Sequence, residues 1–230
     1  MNPMPSEAYF SKVGGIAAIL GAALLVIATS LHPADAHPLD APAAFAEYAA
    51  DRFWAATHLG ALLGVVLITG GLIALSWRLR EGRAGVWATL GAVGAVASLS
   101  VAGALQAVDG IALKVTVDRW VQVATEAQSP LFETAFAVRQ VEVGLASIFS
   151  LFSGLTAALY AGALWTGKEA PGWLGWLGMV GGAATMAAAV ILAHTGFSDV
   201  FMAVSMPSAV LLLLWTALVG VFLLRTPSRQ

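Results

Sequence analysis

The stretch Gln106-Ala-Val-Asp-Gly-Ile-Ala-Leu-Lys114, continued by Asp118-Arg119-Trp120, Ser129-Pro130 and Arg139-Gln-Val-Glu142, decides how the chain is read. Ionisable groups crowd it, yet both of its ends pass into long apolar runs. An apolar run interrupted only at one end by charge reads as a membrane-length helix emerging from the bilayer. Two such runs meeting at Ser129-Pro130 read as a helical hairpin, with the remaining chain packed around it.

Composition supports that reading. Of 230 residues, 59% are hydrophobic and 10% charged, and the mean hydropathy is +0.84. Soluble domains carry about 25% charged residues, so the chain belongs to the membrane class. A net charge of −2 argues against a nucleic-acid partner. With no cysteine, disulfides, thiolate metal ligands, iron–sulfur clusters and cysteine nucleophiles are excluded.

Working outward, six apolar runs reach the roughly 20 residues needed to cross a bilayer. They span about 12–31, 53–77, 86–108, 143–165, 173–194 and 200–224. The third and fourth extend along the hairpin to about 126 and from about 131. Backbone polar groups in lipid must be satisfied internally, and alternation of the β-barrel kind is absent, so the runs are helices. The expectation is an all-α, single-domain bundle of six transmembrane helices over 1–230. Ala34-Asp-Ala36 resembles a signal-peptidase site, but the preceding apolar core is long and Lys12 is the only basic residue before it. The first run is therefore expected to stay as a membrane helix.

Basic residues set the orientation. An N-terminus inside places Lys12, Arg78, Arg80, Arg83, Lys168, Arg225 and Arg229 on the inner side and Arg52, Lys114, Arg119 and Arg139 outside. That asymmetry fits the positive-inside rule, giving N-in and C-in in a bacterial plasma (inner) membrane. Ten of the 13 acids and all four histidines then fall outside. Trp77, Trp87, Trp165, Trp173 and Trp176 mark the inner interface, and Trp54 and Trp120 lie near the outer one. In the outer segment 33–52, Asp40-Ala-Pro42 reads as an N-cap and early helical proline, so an interfacial helix is expected at about 42–50. Gly60/Gly64 and Gly178/Gly182 read as small-residue pairs for close helix packing. Pro207 is expected to kink the sixth helix, with Ser205 or Ser208 compensating.

The hairpin charges pair if its arms meet at Ser129-Pro130. Asp118 then lies opposite Arg139, and Lys114 opposite Glu142, as two salt-bridge rungs. At about 1.5 Å per residue, His58, Gln106, Asp109, Glu142 and His194 all stand about 28–34 Å from the tryptophan-rich interface. Most of this layer has a structural explanation. His194 can complement a helix C-terminus, Ser198 or Asp199 can cap the next helix, His32 before Pro33 reads as interfacial, and His37 as a loop residue. Asp109 and His58 are harder to absorb, because Asp109 lies on the membrane side of the rungs with no evident partner and His58 lies inside its apolar run, where ionisable groups are costly.

His58, His194 and Asp109 therefore form the expected metal-ligand set, for zinc with an open position or for haem on the two histidines. A His–Asp pair also suits acid–base chemistry on a lipophilic substrate. No His-Glu-x-x-His or Gly-x-Ser-x-Gly motif narrows the choice. Two further readings stand beside the metal or haem site. One is a carrier or receptor for a small or lipophilic ligand held by Gln106, Arg139, Glu142 and Asp199 with Asp109. The other is a structural subunit in which every polar group is a rung or cap.

The segment Gly172-Trp-Leu-Gly-Trp-Leu-Gly178, with Leu105-Gln-Ala-Val-Asp-Gly-Ile-Ala-Leu-Lys114, resembles a family of uncharacterised bacterial multi-pass membrane proteins. That resemblance implies six-helix topology and no chemistry. The order of His58 and Asp109 is also similar to that in ceramidase and progestin-receptor-like membrane hydrolases, whose zinc ligands are a histidine, an aspartate and a late histidine pair. The late pair and a seventh helix are missing here, so their activity does not carry over.

Overall fold

The computed structural model describes residues 5–167 and 170–225, with side chains for all of these except 5–6 and 125–128. Lys168 and Arg229, counted in the charge asymmetry, lie outside the described residues. The elements are α1 (Pro5–Leu31), α2 (Ala41–Ala50), α3 (Trp54–Arg78), α4 (Gly82–Ala107), a π-helical segment (Val108–Leu113), α5 (Lys114–Gln122), α6 (Thr125–Thr166), α7 (Gly172–Thr195) and α8 (Asp199–Leu224). No strand occurs among the described residues. Six helices are long and apolar enough to cross a membrane, with α4, the π segment and α5 forming one continuous rod, Gly82–Gln122. The chain is a multi-pass membrane protein.

The six spanning helices form a ring in sequence order, in which α1 neighbours α3, α3 neighbours α4, α4 neighbours α6, α6 neighbours α7, α7 neighbours α8, and α8 returns to α1. Lipid tails are as apolar as leucine, so helices in a bilayer gain little from the hydrophobic effect and associate through close backbone packing. Glycines supply that approach at the seams. Gly64 packs on Gly21 and Leu25, Gly71 on Gly14 and Ala18, Gly154 on Gly182, and Gly220 on Gly15. Of the pairs expected from sequence, Gly60 has no such neighbour within 4 Å, whereas Gly178 receives the Trp215 ring.

One end of the ring is filled. Tyr160, Trp215, Leu75, Leu164, Leu174, Val219 and Leu223 are fully or almost fully buried there in one cluster. Tyr160 donates its phenol proton to the Leu72 carbonyl at 2.7 Å, with the Ser76 hydroxyl 2.6 Å away, and the Trp215 indole donates to the Leu174 carbonyl at 3.1 Å. Trp77, Trp87, Trp165, Trp173 and Trp176 are exposed around this end. Glu7 and Arg80 pair across it at 2.6 Å, and the Ser11 hydroxyl donates to Leu223, so both described ends of the chain lie here.

The opposite end is covered by α2. Asp40 caps it by accepting from the Ala43 N–H at 3.3 Å, and Ala44, Phe45 and Tyr48 turn inward. Lys114 grips its far end, donating to the Tyr48 and Ala49 carbonyls at 3.1 and 2.7 Å, where the helix dipole favours a cation. The Glu47 carboxylate accepts from the Asp35 and Ala36 N–H groups and ties down the preceding loop.

Two expectations are corrected around the central stretch. The chain reverses at Val123–Ala124 and not at Ser129-Pro130, and Pro130 lies inside α6. The four charges also pair within their own helices: Lys114 with Asp118 at 2.8 Å and Arg139 with Glu142 at 3.1 Å. Spacings of three and four residues already bring side chains together on one helix, and the shifted turn and the π segment remove the cross-helix register. In α8, Pro207 lies within the helix, and the buried Ser208 hydroxyl donates to the Ser205 carbonyl. Ser198 caps α8 by accepting from the Phe201 N–H.

Candidate functional site

Beneath α2, the π segment shapes a polar site. Irregular π turns inside α-helices recur at functional positions, and this one carries Asp109-Gly110. Gly110 permits close approach, because a Cβ there would stand 2.6 Å from the Cβ of His58. The Trp54 indole donates to the Asp109 carbonyl at 3.0 Å. Trp54 is thus a buried core residue, not the interfacial tryptophan its place at a helix start suggests.

His58, one turn along α3 from Trp54, is buried, and its two ring nitrogens are both engaged. Nδ1 lies 2.7 Å from the Trp54 carbonyl. A carbonyl only accepts, so Nδ1 carries a hydrogen and donates it. Nε2 faces Oδ2 of Asp109 at 3.0 Å. That contact is favourable only with a proton between the two atoms, held either by an imidazolium facing a carboxylate or by a carboxyl group facing a neutral ring. The pair therefore holds one proton that either partner can carry.

Aromatic rings stack around the pair. Tyr48, Trp54 and His58 follow one another with centroids 4.4 Å apart at each step, and the His32 ring lies 4.9 Å from Trp54 and 5.4 Å from His58. His32 Nδ1 donates to the Pro33 carbonyl at 2.9 Å. Burial lowers its proton affinity and outweighs the opposing hydrogen bond and the Asp109 charge, while His58 and Arg139 lower it further. Burial also raises the Tyr48 phenol above its ordinary range, against the pull of Arg139.

A cavity of about 150 Å³ opens beside these groups, lined by Thr29 of α1, His32 just past its end, Thr57 and His58 of α3, and Gln106 and Asp109. The cavity sits where α1, α3 and the α4 rod come together, and it is open on the side where Thr29 is exposed. Two oxygens on its wall, Gln106 Oε1 and Asp109 Oδ1, are buried with no hydrogen-bond partner among the described residues. A buried acceptor without a donor costs about 1–3 kcal/mol. On α6, Arg139 (7% exposed) and Glu142 (3% exposed) form the buried ion pair described above. The guanidinium also lies over the Phe197 and Tyr48 rings, at 4.5 and 5.4 Å from their centroids.

The expected metal set does not assemble. His58 and Asp109 meet, but His194 is exposed in the last turn of α7 and lines no part of the cavity. Among the described residues, no three or more His, Asp or Glu side chains are placed to hold a metal ion. The physical reason lies in His58: with Nδ1 bonded to a carbonyl and Nε2 to Asp109, neither nitrogen turns a lone pair toward a metal or haem iron. Of the expected ligand contacts, Gln106 lines the cavity. Asp199 is 91% exposed at its side chain and pairs with His37 Nε2 at 3.0 Å, outside it. The residue that sequence reasoning passed over is His32. The register set by Gly14, Gly21, Gly64 and Gly71 along α1 and α3 carries it level with Trp54 and His58, and that spacing was its available signal.

No family model, curated protein or solved structure matches this chain.

Proposed function

We propose that this protein is a receptor or carrier for a small or lipophilic ligand that presents hydrogen-bond donors to the cavity under α2. The observation that carries the reading is the pair of donor-less oxygens, Gln106 Oε1 and Asp109 Oδ1, on one cavity wall. A purely structural end would leave no such acceptors, because each costs stability until something donates to it. The site also has charge to match. Asp109 adds negative potential, and ten of the 13 acids sit in the half of the sequence pattern that this end contains. With the N-terminus inside, the α2 end faces outward, as the basic residues of the opposite end favour.

In this reading Gln106 and Asp109 hold the ligand's donor group, His58 holds or yields the proton shared with Asp109, and Arg139, paired with Glu142, braces the Tyr48 ring of α2 from outside the cavity. A zinc or haem centre on His58, Asp109 and His194 is not part of it, because those residues do not converge. The test uses protein in lipid nanodiscs titrated with n-butylammonium and with 1-butanol, read on the indole ¹⁵N–¹H resonance of Trp54. Saturable shifts that weaken at least tenfold in Asp109→Asn are expected. Titrations that do not saturate with either probe would overturn the reading.

A further inference from the structure

The ring closes unevenly where its last helix meets its first. Toward the filled end, α1 and α8 interlock, with Gly15 against the Gly220 carbonyl, Ala18 and Ile19 on Gly220, and Ser11 bonded to the Leu223 carbonyl. From Ala22 onward the same two helices enclose a groove of about 280 Å³, lined by Ala22, Ala23 and Val26 of α1 and by Val210, Leu213 and Leu214 of α8. Pro207 lies one turn before Val210. Both stretches belong to membrane-spanning helices, so hydrocarbon is what meets the groove.

The groove and the polar cavity meet at one stripe of α1. Ala22, Val26 and Thr29 follow the i, i+4, i+7 spacing that places residues in a single stripe. Ala22 and Val26 line the groove, and Thr29 lines the cavity. Thr29 is itself exposed, so the cavity wall opens on this stripe. From Ala22 to Thr29 the stripe is about 10 Å long at the helical rise. It starts in the apolar groove and ends at the cavity whose wall carries Gln106 Oε1 and Asp109 Oδ1.

We infer that the ligand is a single-chain amphiphile that enters sideways from the bilayer between α1 and α8. Its alkyl tail lies in the groove, and its hydroxyl or ammonium head donates to Gln106 Oε1 and Asp109 Oδ1. This inference rests on the ligand-binding reading above and adds the ligand's chemical class and its route.

The experiment is photolabelling in nanodiscs with dodecylammonium and with 1-dodecanol, each bearing a diazirine at the tail end, followed by peptide mapping. Label concentrated on residues 22–26 and 210–214 is expected, suppressed at least tenfold by excess unlabelled dodecylammonium and by Ala23→Trp, which fills the groove. Val210→Trp fills it from the α8 side, and unshifted indole resonances confirm that either variant is folded. Labelling by one head and not the other distinguishes an ammonium ligand from a hydroxyl ligand. A dodecanoate probe, whose ionised head only accepts, is expected to leave the groove unlabelled. Label spread over other exposed apolar residues such as Leu59, Leu63 and Val93, without competition, would overturn the lateral route. If n-butylammonium still shifts Trp54 in that case, the cavity reading stands and the groove alone fails. If it does not, both fail together.

Discussion

The two ends of the bundle solve the same problem differently. Each buries polar side chains beneath aromatic rings. At the filled end every donor of the central group has an acceptor: Tyr160 gives its proton to Leu72 and Trp215 gives its own to Leu174. At the α2 end acceptors outnumber donors, and Asp51 Oδ2, Gln106 Oε1 and Asp109 Oδ1 stay buried without partners among the described residues. A satisfied network rigidifies, and a half-satisfied one is costly unless something else completes it. The first end reads as a plug and the second as a receptacle.

Mutation can break that contrast. The largest effect is expected at the buried ion pair of the α2 end. Arg139→Ala leaves Glu142 buried and uncompensated and should cost about 3–5 kcal/mol, measured by equilibrium unfolding in mixed micelles. The double variant Arg139→Met with Glu142→Leu should recover most of that loss, since replacing both charges by apolar groups is often neutral. Gly110→Ala comes next. Its new methyl overlaps His58, and overpacking of this kind costs about 1–3 kcal/mol. It should also weaken n-butylammonium binding, because the overlap pushes His58 away from Asp109.

A matched pair sharpens the comparison. Tyr160→Phe at the plug removes the phenol's bonds to the Leu72 carbonyl and the Ser76 hydroxyl and should destabilise by about 1 kcal/mol with ligand binding unchanged. Gln106→Leu at the receptacle removes a donor-less oxygen. It should leave stability equal or slightly higher while binding falls at least tenfold. Equal destabilisation by both would show that Gln106 already has a partner and would remove the asymmetry.

The smallest effect is in pH. Burial holds His32 below the ordinary histidine value of about 6.5 in the folded protein. Between the folded and unfolded values the unfolded chain binds more protons, so stability rises with pH and is lost on acidification from about 6.5 downward. The charges that face this ring are Asp109, His58 and Arg139. His32→Gln should flatten that part of the thermal midpoint profile between about pH 7.5 and 5, leaving any dependence due to other groups.

Much of the fold was legible because membrane helices are written in composition. Six apolar runs and the Asp40-Ala-Pro42 start of α2 needed no tertiary knowledge. Asp109 and His58 stood out because ionisable groups inside such runs are rare, and the structure brings them within hydrogen-bonding distance. The rest depended on phase and register. Pairing Lys114 with Glu142 and Asp118 with Arg139 assumed straight α-helices and a turn at the proline. The π segment breaks the first assumption and the Val123–Ala124 turn the second. His32 read as interfacial because Pro33 follows it, yet its ring is tucked against Trp54 and His58. His194 read as level with them in depth, and depth alone does not say which way a side chain points.

The π segment also acts as a phase shifter. An α-helix turns about 100° per residue, so the wider turns at Val108–Leu113 set the angle at which α5 leaves the membrane-spanning part of its rod. That angle presents Val117 to the core under α2 and Lys114 to its terminal carbonyls. Ordinary α-helical winding over the same six residues, with none removed, would swing α5 round by most of that angle. The lid would lose its grip and its apolar seat together, with every membrane-crossing residue before Val108 unchanged.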